Sequence, residues 1–232
     1  MSIPSAAESA DSPNPDPWEA AYLAFETPAE EVAKFVRRLR KLGADDWPKD
    51  SQIIELFCGR GSGLMALHHF GFTQIEGVDL SPKLLAEYRG AGRIECCDCR
   101  HLTFPDASRD IAIVQGGLHH LPDLPHDLER TLAEVRRVLR PGGRFVVVEP
   151  WLTPFLHGVH MIARNPLSRR FSRKLDALQT MIDHEIRTYQ QWLGQPALVL
   201  RCLTSHFQPE TCWKAYGKLM FVGRRGSATH DD

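Results

Sequence analysis

Four acids and a pair of histidines stand at the ends of short apolar runs, where an α/β protein keeps its reactive groups. Glu55 follows Ile53-Ile54, Asp79 closes Ile75–Val78, Asp98 comes just after 93–97, and Glu149 ends Phe145–Val148. His119 and His120 follow the run 110–115. Between the first two acids lies a glycine-rich loop, Gly59-Arg60-Gly61-Ser62-Gly63, and Asp79 comes sixteen residues after Gly63. In an open parallel sheet, ligands bind in the crevice outside the carboxyl ends of the strands. Glycines let a ligand approach the backbone closely, and the helix that follows offers unpaired N–H groups to a carboxylate or phosphate. Carboxylates at the same rim can take hydroxyl or ammonium hydrogens. The pattern predicts a nucleoside-cofactor site.

The elements that must position these groups alternate along the chain. Strands are expected near 52–57, 74–79, 93–97, 110–115 and 143–149, and helices near 62–70, 82–89 and 124–139, which predicts parallel strands joined by right-handed crossovers. Ile111–Val114 and Phe145–Val148 are continuous apolar runs, as strands buried on both faces should be. One or two helices are expected within Trp18–Leu42, capped by Thr27 ahead of Pro28 and stopped at Gly43. Arg140-Pro141-Gly142-Gly143 turns the chain into the fifth strand. Residues 151–195 break the alternation, with Leu167, Phe171, Leu175, Leu178, Ile182, Ile186 and Tyr189 at helical spacing. A helix over 197–206 should then lead into a hairpin, 211–216 and 218–224, turned at Gly217.

Composition narrows the class. The 232 residues suit one α/β domain, and the charged fraction of 25% with a net charge of −1 argues against nucleic acid as a main partner. The first residues have neither a basic nor an apolar region of the secretory kind, no run reaches the ~20 residues of a membrane span, and six cysteines read as reduced thiols. A cytoplasmic protein is expected, with no integral membrane segment. Residues 1–17, rich in Ser, Pro, Ala and Asp, are expected to be a disordered tail.

Taken together, these residues resemble a class I S-adenosylmethionine (SAM)-dependent methyltransferase, of the broad type that includes the quinone-biosynthesis enzymes. The likeness covers about 48–150 and, more loosely, the final hairpin. The family's acid-apolar-Gly-x-Gly-x-Gly motif is matched by Glu55-Leu56-Phe57-Cys58-Gly59-Arg60-Gly61, with Phe57 at the usual first glycine, where it fits if its φ is negative. The resemblance implies that Glu55 helps hold the cofactor's amino group, that Gly59 and Gly61 shape the loop at its methionine end, and that Asp79 binds the ribose hydroxyls. It implies that Asp98 faces the adenine and that Gln115-Gly116-Gly117-Leu118-His119-His120-Leu121 passes beneath the cofactor. Phe57, Leu80, Cys99 and Gln115 complete the expected cofactor-binding set. The implied fold is a doubly wound, mostly parallel seven-stranded sheet: a Rossmann-like methyltransferase domain over 18–225, with a helical acceptor lid at 151–195 and a C-terminal tail at 226–232. The implied reaction is methyl transfer to O, N or C of a small-molecule acceptor, which a membrane-surface or lipid-like compound would also satisfy.

Other readings stand beside this one. Gly61-Ser62-Gly63-Leu64-Met65-Ala66 fits the dinucleotide pattern G-x-G-x-x-A, so an NAD(P)-dependent oxidoreductase is a rival; Glu55, Asp98 and the single-sheet length weigh against it. A non-catalytic SAM-binding regulatory protein is another. His119 and His120 are candidate bases, against packing on the cofactor or capping a helix. Glu149 is a candidate base or orienting carboxylate, against an anchor for its turn. No metal is expected: alternate strand positions send the side chains of the Cys96, Cys97, Cys99 and His101 cluster to opposite faces, and His157 and His160 read as polar helix surface. The cluster Arg164, Arg169, Arg170, Arg173 and Lys174 reads as a solvated face, with a lipid headgroup or anionic substrate as the alternatives. Trp151 and Phe155 are expected to reach the methyl-transfer centre, with Phe171, Leu175, Leu178 and Ile182 packing on the core or lining the acceptor pocket.

Overall fold

The computed structural model describes residues 17–226, so the expected tails lie, but for Pro17 and Gly226, outside the described residues. Two N-terminal helices come first, α1 (Pro17–Phe25) and α2 (Pro28–Lys41). Thr27 caps α2 in a reciprocal box with Glu30, and Pro28 opens its first turn. The chain then alternates through β1 (Ile53–Leu56), α3 (Ser62–His69), β2 (Ile75–Asp79), α4 (Pro82–Leu85), β3 (Arg93–Cys96), β4 (Arg109–Gln115), α5 (His126–Val138) and β5 (Leu139–Pro150). Helix α4 is shorter than the expected 82–89. Four short helices follow, α6 (Pro154–Arg164), α7 (Pro166–Phe171), α8 (Arg173–His184) and α9 (Ile186–Gly194). Last come α10 (Pro196–His206) and the hairpin β6 (Gln208–Ala215) and β7 (Lys218–Arg224).

The strand order is β3-β2-β1-β4-β5-β7-β6; the first five strands are parallel and β7 runs antiparallel to β5. This is the expected mostly parallel seven-stranded sheet. Alternation along each strand feeds two cores, one per face. Ile53, Ile111, Ile113 and Val146 pack with Phe35 and Leu39 of α2 and Leu64 and Leu67 of α3. Ile54, Leu56, Ala112, Val114 and Val147 pack on the other face with α5 and α10. Each fully buried Leu, Ile or Val contributes about 1.5–3 kcal/mol, so both faces anchor β1 and β4 firmly. Strand β5 starts before the Arg140–Gly143 turn rather than after it: Leu139 pairs with Arg109, and the register shifts before Arg144 pairs with Ile111. Gly142, at φ 78°, makes that irregularity possible.

The strand order reverses between β1 and β4, and the crevice outside their carboxyl ends is where such sheets bind ligands. Glu55 and Gln115 stand there, on neighbouring strands.

Candidate functional site

A cavity of about 620 Å³ opens at this reversal, floored by the strand ends and roofed by α1, α2, α6, α8 and α9. That is within the ~300–1,000 Å³ of small-ligand sites. Of the expected cofactor residues, Glu55, Phe57, Gly59, Asp79, Leu80, Asp98, Cys99 and Gln115 all line it. Gly61 does not. A Cβ there would meet the Tyr88 ring at 2.2 Å, so this glycine, at φ 77°, accommodates a tyrosine rather than a ligand.

The floor is built largely by backbone. Gly59 N–H donates to Asp79 Oδ2 at 2.8 Å and Ser81 N–H donates to Oδ1 at 2.8 Å. Asp79 thus shapes both the glycine loop and the turn into α4, keeping its remaining lone pairs for a ligand. Phe57 corrects an expectation: its φ is +56°, in the left-handed region itself. Its ring lies where a Cβ on Gly117 would sit, 2.2 Å from Cγ, so Gly117 makes room for the strained aromatic. Asp98 is held by Arg100, whose Nη2 and Nε approach its oxygens at 2.7–3.1 Å, and this pairing keeps its carboxyl below the ordinary range. Cys99 is buried with Sγ 3.6 Å from Thr131 Oγ1, and burial pushes its thiol up to about 12.

Glu55 is buried and unevenly satisfied. Gln115 Nε2 donates to its Oε1 at 3.3 Å, while Glu55 Oε2 and Gln115 Oε1 have no hydrogen-bond partner among the described residues. Burial raises the Glu55 carboxyl to about 8. Gly63 permits the approach, since a Cβ there would lie 1.9 Å from Glu55 Oε1.

Across the cavity stand the histidines. After β4 the chain makes a short 3-10 turn, Leu118–His120, and both imidazoles line the cavity, 4.1 Å apart between ring centroids. Glu149, a candidate base, orienting carboxylate or turn anchor, does not line the cavity. It is fully buried beneath the turn, where Oε1 accepts from Gly117 N–H (2.7 Å) and Leu118 N–H (2.8 Å) while Oε2 lies 2.7 Å from His119 Nδ1. It anchors the turn and orients the imidazole. Burial works to raise its carboxyl, but the His119 ring and the two N–H donors outweigh that and hold it below the ordinary value. Burial, reinforced by His120, pushes the His119 imidazole down. For His120 burial is outweighed by Glu185, whose Oε1 lies 2.8 Å from Nδ1, and its imidazole is raised. Donor atoms of His119, His120 and Glu185 lie within 4.8 Å of one another, and the His120–Glu185 hydrogen bond accounts for their closeness.

Residues 151–195 differ from expectation in their details. Trp151 is buried in the core, with Lys214 Nζ 5.5 Å from its ring, and Phe155 is 57% exposed against Tyr216; neither lines the cavity. Leu156, Leu178, Met181, Ile182 and Tyr189 line it instead. Phe171 and Leu167 point outward, 87% and 67% exposed. His160 is half-buried, its Nε2 3.1 Å from Tyr189 Oη, rather than plain helix surface. Two of the expected solvated cations are paired, Arg169 with Asp176 and Lys174 with Glu30. Sequence reasoning also missed Glu31. Buried on α2, it takes Arg60 Nε (2.9 Å), Ser62 Oγ (2.9 Å) and Tyr22 Oη (2.9 Å), so it ties α1 and α2 to the glycine loop. Only tertiary contact brings it 29 residues back to Arg60, and no local signal marks it.

Comparisons with known proteins agree with this geometry. Residues 54–147 match the methyltransferase domain family. The demethylmenaquinone methyltransferase of Thermus thermophilus is 34% identical over 121 residues, 49% of this chain and 52% of its own. Mouse EEF1A lysine methyltransferase 4 is 32% identical over 148 residues, 56% of this chain and 58% of its own. The solved structure of the PH0226 protein from Pyrococcus horikoshii shares the fold at a TM-score of 0.65 and 19% identity, covering 90% of this chain and 99% of its own. The chain spans about half the length, or less, of the curated relatives it matches. Residues 54–147 thus match a methyltransferase domain within a chain that shares the fold of solved SAM-dependent methyltransferases, and the cofactor these matches indicate is S-adenosylmethionine. The dinucleotide reading of Gly61–Ala66 is thereby set aside. The residues fit this cofactor: two unpartnered buried oxygens, Glu55 Oε2 and Gln115 Oε1, are what an ammonium group needs, and Asp79 beside them offers lone pairs to a diol.

Proposed function

We propose that this domain methylates O, N or C of a small-molecule acceptor, with His119 taking the acceptor's proton where the chemistry requires one. Glu55 and Gln115 would hold the cofactor's ammonium, Asp79 its ribose hydroxyls, and Asp98 and Cys99 would border the base. Bound SAM supplies an electrophilic sulfonium methyl together with its leaving group. The chain's own task is then positioning and proton removal. The observation that carries the reading is the His119 arrangement. With Nδ1–H donated to Glu149, the other ring nitrogen of this cavity-lining residue keeps its lone pair. Burial favours the neutral, basic imidazole, and the two N–H donors keep Glu149 charged, so that it stabilises the imidazolium without competing for the proton. Net charge, and the sequence Gln115-Gly116-Gly117-Leu118 after the fourth strand, support a small acceptor over a nucleic acid. So does the apolar roof of Leu156, Leu178, Met181 and Ile182.

Calorimetry with S-adenosylhomocysteine and transfer of a labelled methyl across an acceptor panel test the two halves. Binding and turnover are expected. Binding without turnover on any acceptor would leave a regulatory SAM-binding module, and absence of binding would end the reading altogether.

A further inference from the structure

Beyond Pro150 and Gly217 the cavity wall turns cationic, where α2 and the start of β7 contribute Lys34, Arg38 and Lys218. The acids at this end are already engaged. Glu26 pairs with Lys34, and Glu31 takes Arg60, Ser62 and Tyr22. Two cations are left over. Among the described residues neither the Arg38 guanidinium nor the Lys218 ammonium has a hydrogen-bond or ion-pair partner; Arg38 Cζ lies 5.4 Å from the Phe35 ring centroid. Both are half-buried. Burial pushes the Arg38 guanidinium down, and it pushes Lys218 down to about 7, with the Arg38 charge adding to the effect. Desolvated charge without a partner is costly, and a bound anion relieves it.

The position matters as much as the charge. Lys218 pairs with Pro150 in the β5–β7 register, one residue after Glu149, and the Glu149 charge acts on both cations. They therefore belong to the side of the cavity where Glu149 meets His119. Leu156 packs beside Gly217, next to Lys218, and Leu178, Met181 and Ile182 also line the cavity. The wall thus offers apolar surface together with a cationic end.

We propose that Arg38 and Lys218 form an anion subsite for the acceptor, and that the acceptor is a small molecule with an apolar body and a carboxylate remote from the atom that is methylated. This rests on the methyltransferase reading and names its substrate class. A guanidinium presents a planar fork that matches a carboxylate, and the ammonium adds a second point charge. Phosphate sites draw on clustered backbone N–H groups at helix N-termini or nests. Arg38 lies in the last turn of α2, where carbonyls and not N–H groups are unpaired, so a carboxylate fits better. The competing occupant is the cofactor's own carboxylate, which can be measured with no acceptor present.

The complex with S-adenosylhomocysteine would be titrated by calorimetry with matched acids and amides: 4-hydroxybenzoate, octanoate and indole-3-acetate against their neutral amides, and 4-hydroxyphenyl phosphate as a further arm. At least one carboxylate is expected to bind tenfold or more tightly than its amide. Arg38→Gln and Lys218→Gln should each remove that preference while leaving S-adenosylhomocysteine affinity within about threefold. Lys218→Gln carries the test alone if Arg38→Gln fails to fold. Equal binding of every acid and its amide overturns the proposal, as does a preference for the phosphate. Weakened S-adenosylhomocysteine binding in either variant, with no acceptor present, assigns the cations to the cofactor and also overturns it. Failure of the unsubstituted protein to bind S-adenosylhomocysteine would instead remove the methyltransferase reading on which this rests.

Discussion

The floor and the roof of the cavity are built by different physics. On the floor, strand ends buried on both faces hold loops whose shape is set by backbone hydrogen bonds to Asp79 and Glu149. In the roof, short helices broken at Asn165, Ser172 and Glu185 present apolar side chains downward and leave Phe171, Leu167 and Met161 outside. A backbone-built surface is costly to alter, because removing one acceptor orphans several donors. Side-chain contacts are replaced one at a time. The cofactor end should therefore respond steeply to single substitutions, and the acceptor end gradually.

His119→Ala tests the contrast at its steepest. Where the acceptor must lose a proton, kcat should fall by about 10²–10⁴, while S-adenosylhomocysteine affinity stays within a few-fold; unchanged kcat would place the base elsewhere. Asp79→Ala comes next. It removes ligand hydrogen bonds worth about 1.5–3 kcal/mol, roughly ten- to a hundredfold in affinity, and it also orphans Gly59 N–H and Ser81 N–H, so the melting temperature should drop as well. Normal affinity in a folded variant would show that Asp79 serves the loop alone.

Glu55 gives a pH test. Its free carboxyl sits near 8, so below that pH an ammonium must displace a proton as it binds. Cofactor affinity should rise by up to about tenfold per pH unit as pH 8 is approached from below, then level off. Glu55→Gln should flatten that slope; a slope that survives belongs to another group. In the roof, Ile182→Ala should raise acceptor KM several-fold with cofactor affinity unchanged. Phe171→Ser, at an exposed position, should change stability by less than about 0.5 kcal/mol. If Phe171→Ser proves the more damaging of the two, the roof has been read inside out.

How much was legible follows the same division. Strand, glycine loop and helix are adjacent in the chain, so Glu55, Asp79, Asp98 and Gln115 could be placed from local pattern and resemblance, and all of them line the cavity. The hairpin turned at Gly217 was legible for the same reason. In 151–195 the apolar period ran on smoothly from Leu167 to Tyr189, hiding the breaks between helices and with them the direction of each side chain. Trp151 is bulky enough to suit either a pocket or a core, and only the neighbouring Trp192 and β7 decide for the core. Phe57 was misjudged because its left-handed backbone depends on the room left by Gly117, sixty residues on. Arg38 and Lys218 meet only after the whole sheet has formed.

The roof also has a seam. Helix α1, from the start of the described chain, packs against α8, from its last third, and the exposed ion pair Lys174–Glu30 (2.8 Å) joins α8 to α2. Surface pairs of this kind are screened by salt. Rising ionic strength should thus loosen this tie between the roof and the N-terminal helices, and only slightly, because exposed pairs contribute little.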